Sequence, residues 1–264
     1  MPSYTDLLAS LQRNSDQSVA AHIPETWMQG RTTYGGLTAA LSLQAALGLV
    51  EDLPIRSAQV AFVGPVGGDV LITPKLLRRG KNTAFVSVDI TAESGVTAQS
   101  IFAFGKAKPS AINFDDMPMP DAPAPDQIQP FFRPDAPRPG FTQNFEMLIA
   151  SGKPPISGSN DPAIGLWMRH RDPNTPQDAT AVLAIGDAPP PAVMSMLREP
   201  ARISSMTWMA EFMTDEIRTD PEGWYYAQHT AQLAKDGYSS QSMRLWNRQG
   251  EPILVGRQTI AVFG

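Results

Sequence analysis

Leu37 to Val50 (LTAALSLQAALGLV) constrains this chain more than any other stretch. Read as a helix it is apolar on nearly every side, with Thr38, Ser42 and Gln44 as its polar breaks. A helix apolar all round has to be buried. Ala39, Ala40, Ala45 and Ala46 make it thin, so other elements can pack close to its backbone. Gly35 and Gly36 stand just before it, and paired glycines let a ligand or a strand approach the backbone closely. The first N–H groups of a helix have no partner inside it, so this end can hold an anion or a polarised carbonyl oxygen. A core helix behind a glycine turn, with no ligand, accounts for the same residues.

The residues after the helix supply a cover for it. Ser57–Val63, Asp69–Arg78, Thr83–Thr91 and Val96–Ala107 read as strands, separated by Gly64-Pro65, Gly80 and Glu93-Ser94-Gly95. Thr83–Thr91 alternates most clearly, with Phe85, Val86, Val88 and Ile90 apolar around Ser87 and Asp89. Strands this close together, with no helices between them, imply an antiparallel sheet. Ahead of the helix, Ser3 can cap a short helix over Tyr4–Gln12, Ser18–Ile23 reads as a strand, and Pro24–Arg31 is a loop that carries Trp27. The first 107 residues therefore read as a four-strand meander curled round one buried helix.

The pattern breaks at Lys108. Nine prolines fall between Pro109 and Pro139, among acidic residues such as Asp115, Asp116, Asp121, Asp126 and Asp135. Such a stretch is a poor helix and a poor strand, so it reads as a partly extended surface linker. Phe131, Phe132, Phe141 and Phe145 are placed to pin its later part, and a short helix over Gln143–Ser151 stays open. Then the first plan returns. Ile164–Arg171 is an entry strand, Pro176–Leu197 holds a second apolar helix that Pro189–Pro191 interrupts after Asp187, and four strands come next at Ile203–Met213, Trp224–Ala234, Tyr238–Trp246 and Ile253–Phe263. RRGKNTAFVSVDI in the first half mirrors AKDGYSSQSMRLW in the second, and SGVTAQSIFAFG mirrors QGEPILVGRQTIAVFG. This is one fold repeated in tandem. The expected division is 1–108 and 161–264 for the two units, with 109–160 as linker.

Composition narrows the function. A net charge of −5 without a basic run argues against nucleic acid or an anionic membrane as partner. The absence of cysteine excludes disulfides, thiolate nucleophiles and cysteine-ligated metals, and it fits a cytoplasmic enzyme. The start of the chain has no signal-peptide pattern and no window is apolar enough to span a membrane. His22, His170 and His229 have no metal-ligand spacing and read as structural.

Trp27, Gln29, Gly30, Arg31, Tyr34, Gly35 and Gly36 form a W-x-Q-G-R-x-x-Y-G-G run ahead of the apolar helix. With RSAQVAFVGPV, LLRRGKNTAFVSVDI and the closing VGRQTIAVF, this order resembles the acyl-CoA thioesterase II (TesB-like) family across nearly the whole chain. The resemblance implies an α+β tandem (double) hotdog, each half an antiparallel sheet wrapped around a long central helix. It also implies hydrolysis of acyl-coenzyme A, a small-molecule substrate, without a metal or covalent cofactor, and it is compatible with a homodimer. That family holds its attacking water with an Asp, a Ser or Thr, and a Gln from the second half. Asp187 in AIGDAPPP, Ser205 (or Ser204 or Thr207, should the register differ by one or two) and Gln258 in VGRQTIAV take those places. Trp27, Tyr34, Gly35 and Gly36 become the substrate-binding candidates, with core or lid packing as the alternative for the two aromatic residues.

The residue types suit that chemistry. With no cysteine and no G-x-S-x-G elbow, water is the expected nucleophile rather than a side chain. A carboxylate at Asp187 accepts the water's proton best if burial raises its pKa. Ser205 and Gln258 can each hold the water by a hydrogen bond, and backbone N–H groups at Gly35-Gly36 or around Asp187 can receive the oxyanion. Individually, an Asp before prolines is a turn residue and a Ser at a strand start is polar filler. A Gln in an apolar last strand needs a partner, because an unpaired buried amide costs about 1–3 kcal/mol. Two rivals remain: a hotdog enoyl-CoA hydratase, disfavoured because position 192 is Ala where that chemistry pairs its Asp with a His, and a non-catalytic acyl-CoA-binding protein.

Overall fold

The computed structural model describes residues 2–132 and 137–263. Helix α1 (Tyr4–Ala9) starts from a capping box in which Ser3 and Asp6 satisfy each other's backbone N–H groups. The pair β1 (Gln12–Arg13) and β2 (Val19–Ile23) leads to a small ribbon, β3 (Met28–Gln29) and β4 (Thr32–Thr33), and then to the long helix α2 (Gly35–Leu47). Strands β5 (Ile55–Phe62), β6 (Gly68–Arg79), β7 (Thr83–Ala92) and β8 (Gly95–Gly105) complete the first half. The second half has β9 (Phe145–Gly152), β10 (Ala163–His170), α3 (Ala179–Gly186), β11 (Arg202–Phe212), β12 (Tyr225–Lys235), β13 (Tyr238–Asn247) and β14 (Pro252–Phe263).

All but the small ribbon join one antiparallel sheet of twelve strands, in the order β1-β2-β6-β7-β8-β5-β11-β14-β13-β12-β10-β9. The order reads the same from either edge, so each half is a hotdog unit and the two meet where β5 pairs with β11. The expected four-strand meander holds only for β6-β7-β8 and for β12-β13-β14. β5 leaves its sequence neighbour β6 and pairs with β8, as β11 pairs with β14. Alternation within a strand fixes which face is buried but not which strand lies beside it. Both central strands carry a bulge near their start, at Ile55/Ser57 and at Ser205/Thr207.

The helix α2 is buried as its composition demands, and the hydroxyls of Thr38 and Ser42 are satisfied within it by the carbonyls four residues back. It packs against α3 so tightly that a methyl at Gly36 would lie 2.5 Å from the Ala184 carbonyl oxygen. The second helix is shorter than the Pro176–Leu197 stretch suggested. Asp178 caps its start by accepting the Ala181 N–H at 2.9 Å, Asp187 ends it, and after the prolines the chain resumes only as a 3-10 turn over Ala192–Met196.

The proline-rich stretch is a strap across the second unit, excepting residues 133–136, Asp135 among them, which lie outside the described residues. Its backbone carbonyls at Met117 and Pro123 accept the indole N–H groups of Trp246 and Trp167, both at 2.8 Å. It thereby covers a second apolar cluster of Leu148, Trp167, Trp224, Tyr226 and Trp246. Phe141 and Phe145 are buried in the main core, with Phe141 stacked on Tyr34 at 4.3 Å between ring centres. Part of the stretch 109–160 is sheet rather than linker. Phe145–Gly152 is strand β9, not a helix, because β10 offers it a full ladder of partners.

Candidate active site

Asp187, Ser205 and Gln258 come together at the join of the two units. Asp187 is the residue at which α3 stops, so its carboxylate stands beyond the last helical turn. Ser205 sits at the bulge of β11, where the extra residue Met206 re-aims the chain. Its hydroxyl thereby reaches Gln258, while Ser204 and Thr207 are exposed and make no bond to it. Gln258 lies on the buried face of β14 and donates both of its amide protons: to Asp187 Oδ1 at 2.7 Å and to Ser205 Oγ at 2.9 Å.

The other half of the chain comes close to the carboxylate, and the Gly36 N–H bonds to it. The first turn of α2, from the other half of the chain, faces it: a methyl at Gly35 would lie 2.5 Å from Asp187 Oδ2 and 2.6 Å from the Phe62 ring. Burial pushes the Asp187 pKa up to about 7, against the opposing pull of the Gln258 amide and the Gly36 N–H, which favour the charged form. Asp187, Ser205, Gly35 and Phe62 are each only partly covered, so the cluster opens to solvent along this seam. The arrangement can hold a polar small molecule between a carboxylate with a proton affinity near neutral and a hydroxyl. Because that hydroxyl already accepts from Gln258, its own proton is free to be donated.

Of the substrate-binding candidates, Gly35 and Gly36 stand at this cluster and the aromatic pair does not face it as a lining. Trp27 is 0% and Tyr34 1% exposed. Trp27 donates to the Pro2 carbonyl at 3.2 Å and Tyr34 to the Ala184 carbonyl at 3.1 Å, so both are consumed in packing the core behind the seam. Their position in the run ahead of α2 is a packing signal: they wedge the start of α2 against α3 and Phe145. His229 also reads as structural. Burial lowers its pKa to about 4, and its ring lies against the carbonyls of Gly186 and Pro190 on either side of the Asp187 turn.

Sequence reasoning passed over Gln241. It is fully buried on β13, donates to Gln258 Oε1 at 2.7 Å and accepts the Ala192 N–H at 2.9 Å. The signal was there to find: Ser239, Gln241 and Met243 share the inward register of an alternating strand, and a glutamine on that face requires a partner. At the place where a hydratase would hold a histidine, Ala192 contributes only its backbone to this network.

Comparison with known proteins gives one family model for each half of the chain. Residues 117–262 match the family model described as the acyl-CoA thioesterase C-terminal domain, and residues 23–105 match the one described as the acyl-CoA thioesterase N-terminal domain. Among solved structures, a conserved protein of unknown function with a hot dog fold from Alicyclobacillus acidocaldarius superposes with a TM-score of 0.85 at 22% identity, covering 98% of this chain and 97% of that one. A putative thioesterase II from Thermobifida fusca gives 0.84 at 19% identity over 99% and 98% of the two chains. An acyl-CoA thioesterase II from Mycobacterium marinum gives 0.78 at 18% identity over 98% of each. At such identities the likeness to these structures is one of fold. No curated protein matches.

Proposed function

The chain belongs to the acyl-CoA thioesterase family, and on that footing we propose that it hydrolyses the thioester of an acyl-coenzyme A with a water molecule held between Asp187 and Ser205, the two groups that Gln258 joins and orients. The observation that carries this reading is the single amide of Gln258, which donates to both the carboxylate and the hydroxyl. A bond network of that kind leaves one acceptor of raised basicity and one free hydroxyl proton side by side, which is what a water-mediated attack needs.

Each step uses one of these groups. Asp187 takes a proton from the water as its oxygen bonds to the carbonyl carbon, and the carbonyl electron pair moves onto its oxygen. The Ser205 hydroxyl and the positive end of α2, whose first turn lies against Asp187, favour negative charge there. Collapse of the tetrahedral adduct breaks the carbon–sulfur bond, and the proton on Asp187 goes to the departing thiolate. The products are the free acid and coenzyme A, and Asp187 is again ionised. A base with a pKa of about 7 can both take and return that proton near neutral pH.

Thiol release from acyl-CoAs of short to long chain, by wild type and by Asp187→Ala, tests the reading. Release that falls by at least about a hundredfold in the folded variant supports it. Release that survives the substitution overturns the role of Asp187. Tight binding of acyl-CoA with no release from any member of the series makes the protein a non-catalytic acyl-CoA binder.

A further inference from the structure

We infer that Gln241 is a positioning residue of this reaction, fixing which end of the Gln258 carboxamide faces Asp187 and Ser205. The inference rests on the function proposed above. A carboxamide can turn over, exchanging its oxygen and nitrogen with almost no change of shape. Turned over, Gln258 would set its carbonyl oxygen against the Asp187 carboxylate, losing that bond, and Ser205 would spend its proton on Gln258 instead of keeping it free. The backbone prevents this. Ala192 opens a 3-10 turn after Pro191, so its N–H has no partner within that turn and must donate outward. It donates to Gln241 Oε1 at 2.9 Å. Gln241 must then turn its nitrogen to Gln258, donating to Oε1 at 2.7 Å, and Gln258 Nε2 is left facing Asp187 and Ser205. The relay starts from a donor that cannot turn over, and so it runs one way.

The fold itself does not require this residue. The two halves pair about Gln59 and Met209, and their central strands end on Phe62 and Phe212. Ile55, at the bulge of β5, thus stands where Ser205 stands in β11. Ala58 faces Phe102 as Trp208 faces Gln258, and Phe102 faces Val86 as Gln258 faces Gln241. The first unit fills the three equivalent positions with Ile55, Phe102 and Val86, all buried. Valine therefore suffices where Gln241 stands, as far as packing goes. Burying two amides there is costly unless both are paired, and both are paired into the site.

A bland role remains to be separated from this one: Gln241 as nothing more than an acceptor for the Ala192 N–H. Gln241→Glu keeps that acceptor. Uncharged, the introduced carboxyl donates to Gln258 Oε1 as the amide did. Ionised, it sets oxygen against oxygen and drives Gln258 to turn over. We expect its kcat for thiol release to match wild type most closely at acid pH and to fall behind by about tenfold or more on the alkaline side, with KM unchanged. Gln241→Val, the first unit's own solution, should lose kcat by a similar factor at all pH values. Carbon-13 NMR of the Asp187 carboxyl tests the relay without turnover, so it speaks even if no acyl-CoA is hydrolysed and the proposed function fails. In Gln241→Val its titration should move above that of wild type. Wild-type kcat profiles in both variants with only a lowered melting temperature, or an unmoved Asp187 titration, would reduce Gln241 to a cap and overturn the inference.

Discussion

Replacing Asp187 by asparagine should make the protein more stable at alkaline pH while abolishing its activity. Burial raises the Asp187 pKa from the usual 3.8 to about 7 in the folded chain. Between those two values the folded state holds a proton that the unfolded state has released, so stability falls as pH rises through this window and levels off above about 7. A difference of that size corresponds to about 4 kcal/mol at most, at about 1.4 kcal/mol per pH unit, and contact with solvent at the seam reduces it. An asparagine side chain is neutral at every pH, so Asp187→Asn removes a cost that sets in above the usual pKa of 3.8 and is complete only above about 7. Urea denaturation at pH 5 and pH 8 measures it. The variant should gain about 1–4 kcal/mol over wild type at pH 8 and much less at pH 5. An equal difference at both pH values, or a less stable variant at pH 8, would refute the claim that a desolvated carboxylate sits at the end of α3.

Two further substitutions bear on the site and on the frame that carries it. Ser205→Ala should lower kcat for thiol release by about 10–100-fold, and Ser205→Thr, which keeps the hydroxyl, should recover most of it; equal kcat in the two variants would remove the hydroxyl from the reaction. Gly36→Ala places a methyl 2.5 Å from the Ala184 carbonyl oxygen and 2.9 Å from that of Leu183, so α2 and α3 must part, at a cost of about 1–3 kcal/mol or more in thermal or urea unfolding. Gly64→Ala, where the nearest atoms lie at an ordinary 3.9 Å, is the control and should change stability by no more than about 0.5 kcal/mol.

Much of this architecture is legible in the residues because it is local. Alternation marks β7 and β13, the glycine turns mark their ends, and the all-round apolar run marks α2. The features that escape a sequence reading are set by partners far along the chain. Nothing in IRSAQVAF says that β5 will skip β6 to lie between β8 and β11, and nothing in FEMLIASG says that β10 will be waiting to pair with it. The W-x-Q-G-R-x-x-Y-G-G run was legible as a glycine turn ahead of a helix, but its aromatic residues pack the core while Gly35 and Gly36 meet Asp187. Both uses require small and large residues at fixed spacing, and only the cross-chain contacts tell them apart.

The site itself illustrates a more general point about duplicated folds. Periodicity marks Ser205, Gln241 and Gln258 as inward positions of their strands and no more, since Ile55, Val86 and Phe102 hold the same registers in the first unit. The information lies in the departure from that pattern. Where one copy satisfies the fold with apolar side chains and the other buries hydroxyl and amide groups at the same places, packing cannot be the reason, because packing is already solved without them. The polar copy must be paired, each group to the next, and the pairing runs from a backbone N–H at Ala192 through two glutamines to Asp187. One unit thus supplies the ionisable group and its hydrogen-bonded frame, and the other supplies the glycine turn that lets a helix start come within reach of it. Neither half holds the whole cluster, so the proposed site depends on the join between β5 and β11.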